Sequence, residues 1–158
     1  MSLAQDVRRL ALIAPFSALP REAVQIIAFS SERLTVKAGH HLFLGHAKSD
    51  AGYFVLSGAV ELKAEGRTKR VEADSLIGEM ALIAQVERRY EASALEDSEL
   101  LRVPRQVFRR VLEEFPDSKG EIKATLRRRV AELSGPLEAL DKKYFSAVLP
   151  SARSRDGG

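Results

Sequence analysis

The sequence YFVLSGAVEL at residues 53–62 contains two short β-prone runs, which Ser57 and Gly58 separate. Similar runs recur between residues 32 and 103, and turn residues break them at about the spacing of an all-β sandwich or barrel. The other runs lie at residues 34–36, 42–44, 70–71, 75–77, 90–95 and 99–103, with glycines at positions 39, 45, 52, 58 and 66. The middle of the chain therefore predicts a short-stranded β-barrel or jelly roll.

Helical patterns flank the β-prone segment on both sides. A helix is predicted from Pro20, because proline suits a first helical turn and apolar residues follow at helical spacing. Another helical pattern covers Val107, Phe108, Val111, Leu112 and Phe115. We expect Pro116 to stop that helix. A last apolar series has spacings of four, four and three, at Ile122, Leu126, Val130 and Leu133.

The chain has 158 residues, of which 45% are hydrophobic and 30% are charged, and it contains no cysteine. That length suits one domain, and the lack of cysteine excludes disulfides, thiolate metal sites and a cysteine nucleophile. No apolar run reaches the roughly 18 residues of a membrane span, and the first residues lack the pattern of a secretion signal. We therefore expect a soluble, cytoplasmic protein that does not enter a membrane.

The formal excess of positive charge is only three, from 25 basic and 22 acidic residues. Two arginine clusters, at positions 102, 105, 109 and 110 and at positions 127–129, lie beside acidic residues in helix-patterned sequence. This arrangement favours solvated helix faces, and a phosphate-binding patch for nucleic acid is the alternative.

The sequence offers little for catalysis or for a metal ion. The three histidines, His40, His41 and His46, lie on either side of a short strand-like run, and His40 and His41 point to opposite faces of a strand. No serine lies in a nucleophile-elbow sequence, and no glycine pattern matches a Walker loop or a dinucleotide fingerprint. We therefore predict no enzymatic activity, no metal site and no cofactor.

The segment SLIGEMALIAQVERRYEA, residues 75–92, combines groups that suit a nucleotide. Residues 79–84 favour a short helix after Gly78, and the free N–H groups at a helix N-terminus favour an anion. Arg88 follows, and its guanidinium matches phosphate oxygens, while Glu79 can accept hydrogen bonds from ribose hydroxyls. The alternative is structural: a glutamate at a helix N-terminus stabilises the helix dipole, and Arg88 is an ordinary surface residue.

At these residues the sequence resembles the cyclic nucleotide-binding domain family, which includes the bacterial catabolite activator proteins and kinase regulatory subunits. Residues 53–58 match the family's strand and turn YfIl-x-G, and Gly39 and Gly45 bracket a stretch similar to its aGe-x-I-f-x-x-G. Residues 108–116 resemble its F-x-x-l-l-x-x-x-P helix. Residues 78–83, GEMALI, look like the GELAL(L/I) of its phosphate-binding cassette, and Arg88 has the spacing of the cassette arginine.

The resemblance implies a mainly β fold: a double-stranded β-helix (jelly roll) with an N-terminal helix and C-terminal helices. It implies cyclic AMP or cyclic GMP as the ligand, with Glu79 on the ribose 2′-hydroxyl and Arg88 on the cyclic phosphate. The other implied contacts are N–H groups around Gly78, Met80, Ala81 and Arg89. The implied function is that of a regulatory module in which ligand binding moves the flanking helices.

The cassette departs from the family around Arg88. The family has Pro-Arg-(Ala/Ser)-Ala-(Thr/Ser), whereas this chain has Glu87-Arg88-Arg89-Tyr90-Glu91. Strand alternation sends Arg88 and Tyr90 to one face, and Arg89 and Glu91 to the other. If Arg89 and Glu91 point outward, nucleotide binding is retained. If the glutamates pair with the arginines, the β-roll is degenerate and serves as a dimerisation or protein-docking module.

The resemblance places the domain at residues 8–133, with a β-roll at about 32–103, helices at about 104–133 and a partly flexible extension at 134–158. Only 25 residues follow Leu133, too few for a DNA-binding domain, so we expect the signal to leave through a protein partner or a homodimer. The C-terminal apolar series either packs on the β-roll or forms that dimer. By position, Ser134 is the counterpart of a purine-contacting hydroxyl in the activators, and Thr125 is a weaker candidate.

Overall fold

The computed structural model describes residues 2–132, with the exception of His46, Val86 and Arg89. Within these residues, eight strands cover Glu32–Val36 (β1), His41–Phe43 (β2), Ala51–Ser57 (β3), Ala59–Ala64 (β4), Arg67–Glu72 (β5), Leu76–Ile77 (β6), Glu91–Ala94 (β7) and Ser98–Pro104 (β8). They form two four-stranded antiparallel sheets, in the orders β1-β8-β3-β6 and β2-β7-β4-β5. This is the strand order of a jelly roll, so the predicted fold class is confirmed.

Four α-helices of the described part flank the sheets: Leu3–Leu10 (α1), Arg21–Ser30 (α2), Arg105–Glu114 (α3) and Pro116–Glu132 (α4). α1 begins with a capping box, in which the Ser2 hydroxyl accepts from the Gln5 N–H and the Gln5 side chain accepts from the Ser2 N–H. α2 follows Pro20 as predicted. Pro116 follows the end of α3 and is also the first residue of α4, because a first helical turn does not need its missing N–H. No helix of the described residues is long and apolar enough to cross a membrane.

β3 is buried on both faces, which explains the unbroken apolar run in its sequence AGYFVLS. Successive side chains of a strand point to opposite faces of the sheet. Tyr53 and Val55 therefore lie in a core between the two sheets, while Phe54 and Leu56 lie in a second core beneath the helices. β8 divides its side chains between the same two cores.

The core beneath the helices includes the C-terminal helices. Phe108 of α3 meets Phe16 edge to face, with 5.9 Å between the ring centroids. Ile122 and Leu126 of α4 are fully buried in the same core. These two residues support the packing hypothesis for the C-terminal apolar series. The side chain of Val130, and Leu133, lie outside the described residues.

The first arginine cluster lies at the junction of β8 and α3, and its members differ in their contacts. Arg102 donates to Asp50 Oδ2 at 2.8 Å, and Arg105 donates to main-chain carbonyl groups. Arg109 and Arg110 are exposed on α3. Half of the cluster therefore stabilises the fold itself.

Candidate functional site

The segment predicted to bind phosphate follows β6, at the edge of the first sheet. Ile77 of β6 pairs with Tyr53 of β3, and the chain then turns at Gly78 into a 3₁₀ helix over Glu79–Leu82. The predicted helix of residues 79–84 is therefore shorter and more tightly wound than a regular α-helix. All four residues of the 3₁₀ helix are buried, so packing rather than helix length stabilises it.

Arg88 is buried inside the roll, with 3% of its surface exposed. Its Nη2 donates to the carbonyl oxygen of Ala51 at 2.8 Å, and its guanidinium carbon lies 4.2 Å from the centroid of the Phe43 ring. The Tyr53 ring lies 5.6 Å from the same carbon. The main-chain N–H of Arg88 donates to the carbonyl oxygen of Ala47 at 2.8 Å. These contacts hold the guanidinium in one place.

Gly78 makes room for this guanidinium. Its φ of 76° lies in the left-handed region, which favours glycine. A Cβ atom at position 78 would lie 2.3 Å from Nη1 of Arg88, well inside van der Waals contact. The glycine of the GEMALI motif thus serves both the turn and the position of Arg88.

The charge of Arg88 has no carboxylate counter-ion in the described part of the chain: none of the ion pairs found there includes Arg88. Glu91, one of the two glutamates that flank the arginines, lies 3.9 Å from Nε2 of His41 instead. A buried charge is costly unless an opposite charge and hydrogen bonds compensate it. The guanidinium of Arg88 is therefore electrostatically suited to an anion.

The remaining cassette residues differ in the groups that they present for ligand binding. Glu79 is buried, with 4% of its surface exposed, although carboxylates are mostly found at the surface. Met80 and Ala81 are buried as well, and the Ala81 N–H donates to the Gly78 carbonyl oxygen at 3.0 Å within the turn. The predicted contact of the Ala81 N–H with phosphate thus competes with a bond inside the cassette.

Tyr90 and Arg88 contact the same aromatic ring, that of Phe43, since the Tyr90 and Phe43 ring centroids are 5.6 Å apart.

Arg89 and Ser134, two of the predicted ligand contacts, lie outside the described residues. Thr125, the weaker candidate for the purine contact, accepts a 3.4 Å hydrogen bond from Arg128 on the exposed surface of α4. No group of three metal-binding side chains occurs among the residues that the structure describes.

Sequence reasoning did not single out Phe43 and Ala51 as neighbours of Arg88. Phe43 belongs to β2, which pairs with β7 directly after the cassette, and Ala51 opens β3. The only feature of the sequence that could have indicated Phe43 was an aromatic residue in a short β-prone run. Its relation to Arg88 depends on the strand order, which the residues themselves do not indicate.

Comparison with known proteins identifies the family of the chain. The sequence profile of the cyclic nucleotide-binding domain matches residues 33–115, which include both sheets, the cassette and α3. The chain belongs to the cyclic nucleotide-binding domain family. The family resemblance that the cassette indicated is thus confirmed.

Several proteins are similar to this chain in sequence or in structure. The Pycsar effector protein XpPycTIR of Xanthomonas perforans is 37% identical over 105 residues, which are 65% of this chain and 34% of that protein. The cyclic nucleotide-binding-like protein of Brucella abortus has a TM-score of 0.65 at 36% identity, over 69% of this chain and 98% of its own. The catabolite activator protein of Thermus thermophilus has a TM-score of 0.62 at 28% identity, over 80% of this chain and 62% of its own. This chain spans about a third of the length of the Pycsar effector protein and nearly the whole of the Brucella abortus structure.

Proposed function

We propose that this domain binds cyclic AMP or cyclic GMP, with the cyclic phosphate at Arg88 and the ribose at Glu79, and that it acts as a regulatory module. The observation that carries the proposal is the buried guanidinium of Arg88, held by Ala51 and Phe43 without a carboxylate counter-ion in the described part of the chain. Membership of the family supports the same ligand class.

The charge of the ligand fits the charge of the site. A cyclic phosphodiester carries one negative charge, and one desolvated guanidinium balances it. An arginine has five N–H donors, of which Nη2 uses one on Ala51, so donors remain for the phosphate oxygens. A doubly charged phosphate monoester leaves one charge uncompensated at Arg88, which favours the cyclic form.

Glu79 gives the site a preference for ligand hydroxyl groups, beside the preference of Arg88 for phosphate. Its carboxylate lies at the start of the 3₁₀ helix that follows Gly78. An ionised carboxylate only accepts hydrogen bonds, so it binds hydroxyl groups and repels phosphate. A ligand with a phosphate on one side and a free 2′-hydroxyl on the other offers each of the two side chains the group that it binds.

Ligand binding then acts on the helices. The 3₁₀ helix of the cassette contacts both β3 and α3, so a displacement of the cassette reaches the C-terminal helices. Binding shifts the equilibrium between two arrangements to the extent that the ligand prefers one of them. We propose that a protein partner or a second copy in the cytoplasm responds to this change, and that the module itself catalyses no reaction.

Isothermal titration calorimetry tests the proposal with cyclic AMP, cyclic GMP, their 2′-deoxy analogues and 5′-AMP. Arg88→Met should weaken binding of the cyclic nucleotide by at least about 30-fold, because truncating one partner of a buried charge pair costs about 2–5 kcal/mol. Glu79→Gln should weaken binding of the ribonucleotide but not of its 2′-deoxy analogue. Arg70→Met is the matched control, since Arg70 is half exposed and pairs with Glu72 on β5.

The outcomes separate the two hypotheses for the β-roll. Saturable binding that Arg88→Met abolishes supports the nucleotide module. A lack of binding by the wild-type protein at millimolar ligand overturns it and leaves the degenerate dimerisation or docking module.

A further inference from the structure

Three consecutive carbonyl groups at the entry of β3 accept hydrogen bonds from two arginines. Arg105, the first residue of α3, donates from Nη1 to Ser49 at 3.0 Å and from its main-chain N–H to Asp50 at 2.8 Å. Arg88 donates to the next carbonyl, that of Ala51, at 2.8 Å. Arg88, the residue proposed to bind the phosphate, and Arg105, the first residue of α3, are therefore hydrogen-bonded to adjacent peptide groups.

Arg105 also reaches the cassette from its other side. The same Nη1 atom donates to the carbonyl oxygen of Ala81 at 3.1 Å, and Ala81 lies within the 3₁₀ helix. One side chain thus connects three segments that are distant in sequence: the cassette, the entry of β3 and α3. Its guanidinium is half-buried at this junction.

We propose that Arg105 is a positioning residue that transmits nucleotide occupancy of the cassette to α3. The inference rests on the proposed function and specifies the regulation of the same site. Because one nitrogen donates to both Ser49 and Ala81, a movement of the cassette relative to β3 lengthens at least one of these bonds unless Arg105 moves too. Arg105 is the first residue of α3, so its movement displaces the start of that helix.

A purely structural role for Arg105 gives a different expectation. If its hydrogen bonds only hold the end of α3, their loss lowers stability in the presence and in the absence of ligand alike. The response of α3 to the ligand then stays intact. A coupling role requires that the response itself depends on Arg105.

Hydrogen–deuterium exchange distinguishes the two roles. Exchange in residues 79–82 and in α3 is measured with and without whichever cyclic nucleotide binds the wild-type protein. Arg105→Met keeps the apolar stem and removes the donors, whereas Arg105→Lys keeps an ammonium group that can donate to both carbonyl groups. Arg110→Met is the matched control, because Arg110 is exposed on the same helix and none of the described hydrogen bonds includes it.

We expect the Arg105→Met protein to bind the nucleotide. Its Kd should differ from that of the wild-type protein by no more than about 150-fold, the upper end of the usual 5- to 150-fold coupling between sites. Residues 79–82 should still respond to the ligand, and the response of α3 should be lost. Arg105→Lys and Arg110→Met should both respond like the wild-type protein.

A wild-type response of α3 in Arg105→Met overturns the inference, as does a folded, ligand-binding Arg105→Lys protein whose α3 does not respond. Loss of the nucleotide response by Arg110→Met overturns it too, since that result makes the effect nonspecific. Absence of nucleotide binding by the wild-type protein overturns the proposed function, and the inference with it.

Discussion

Arg88 carries a charge in the interior of the protein, with 3% of its surface exposed. Burying an ion costs several kcal/mol. The hydrogen bond to Ala51, whose donor is charged, contributes about 1.5–3 kcal/mol and the contact with Phe43 about 2 kcal/mol or less, so together they do no more than offset that cost. In the ligand-free protein, Arg88→Met should therefore leave the free energy of unfolding equal to wild type or raise it by up to about 3 kcal/mol. Urea denaturation followed by circular dichroism measures this change, and a clear loss of stability would contradict it.

Gly78 and Gly66 provide a matched pair for the contact between the cassette and Arg88. Both have positive φ, 76° and 81°, but a Cβ at Gly66 meets no atom within 4 Å, whereas one at Gly78 lies 2.3 Å from Arg88. Gly66→Ala should show the backbone strain alone, and Gly78→Ala should lose about 1–3 kcal/mol more through overpacking. Only Gly78→Ala should also weaken nucleotide binding, as calorimetry can measure. Equal effects at the two positions would show that the side chain of Arg88 adapts without loss.

For single residues, the sequence predicts which chemical groups the site contains better than it predicts which residues contact them. Gly78, Glu79 and Arg88 could be predicted as site residues because a turn glycine, a carboxylate and a guanidinium lie within one short segment. The contacts that Phe43 and Arg105 make with this segment join residues from different parts of the chain. Such contacts follow from the strand order, which a single sequence does not specify.

Among the elements, β5 shows where the prediction was incomplete. Only Arg70 and Val71 read as β-prone, yet the strand covers Arg67–Glu72. Its other residues are polar and pair with β4 along one edge of the second sheet, so main-chain hydrogen bonds rather than apolar side chains define the strand. The prediction at Pro116 was incomplete too: this residue was expected only to stop α3, which ends at Glu114, and it is also the first residue of α4.

α4 offers a test between packing and dimerisation at the scale of an element. Leu126 is fully buried within a single chain, so Leu126→Ala should lower the free energy of unfolding by about 2–5 kcal/mol at every protein concentration. Leu12→Ala is the control, since 82% of Leu12 is exposed and its truncation should change stability by less than about 0.5 kcal/mol. Chemical denaturation at several protein concentrations measures both. A midpoint that rises with concentration in the wild type but not in Leu126→Ala would favour the homodimer instead.

On the scale of the whole molecule, the binding segment lies at the boundary between the two cores. Ile77 and Tyr90 belong to the core between the sheets, whereas Leu82, between them in sequence, belongs to the core beneath the helices. The same alternation occurs along β3. The packing of the cassette therefore depends on both cores at once. Under the proposed function, this is the route by which ligand binding reaches the helices.

Because β3 and β8 each contribute side chains to both cores, the two cores should unfold together. Tyr53 and Tyr90 report on the core between the sheets, and the chain has no tryptophan to mask them. Tyr144→Phe removes the third tyrosine signal, and far-ultraviolet circular dichroism reports on the helices. The midpoints of the tyrosine and helix signals should coincide in urea, as expected for two-state unfolding. At a free nucleotide concentration 100 times the Kd, both should shift by the same stabilisation of about 2.7 kcal/mol. Loss of the helix signal before the tyrosine signal would mean that the cores are separate cooperative units, and a ligand could then stabilise the β-roll without any effect on the helices.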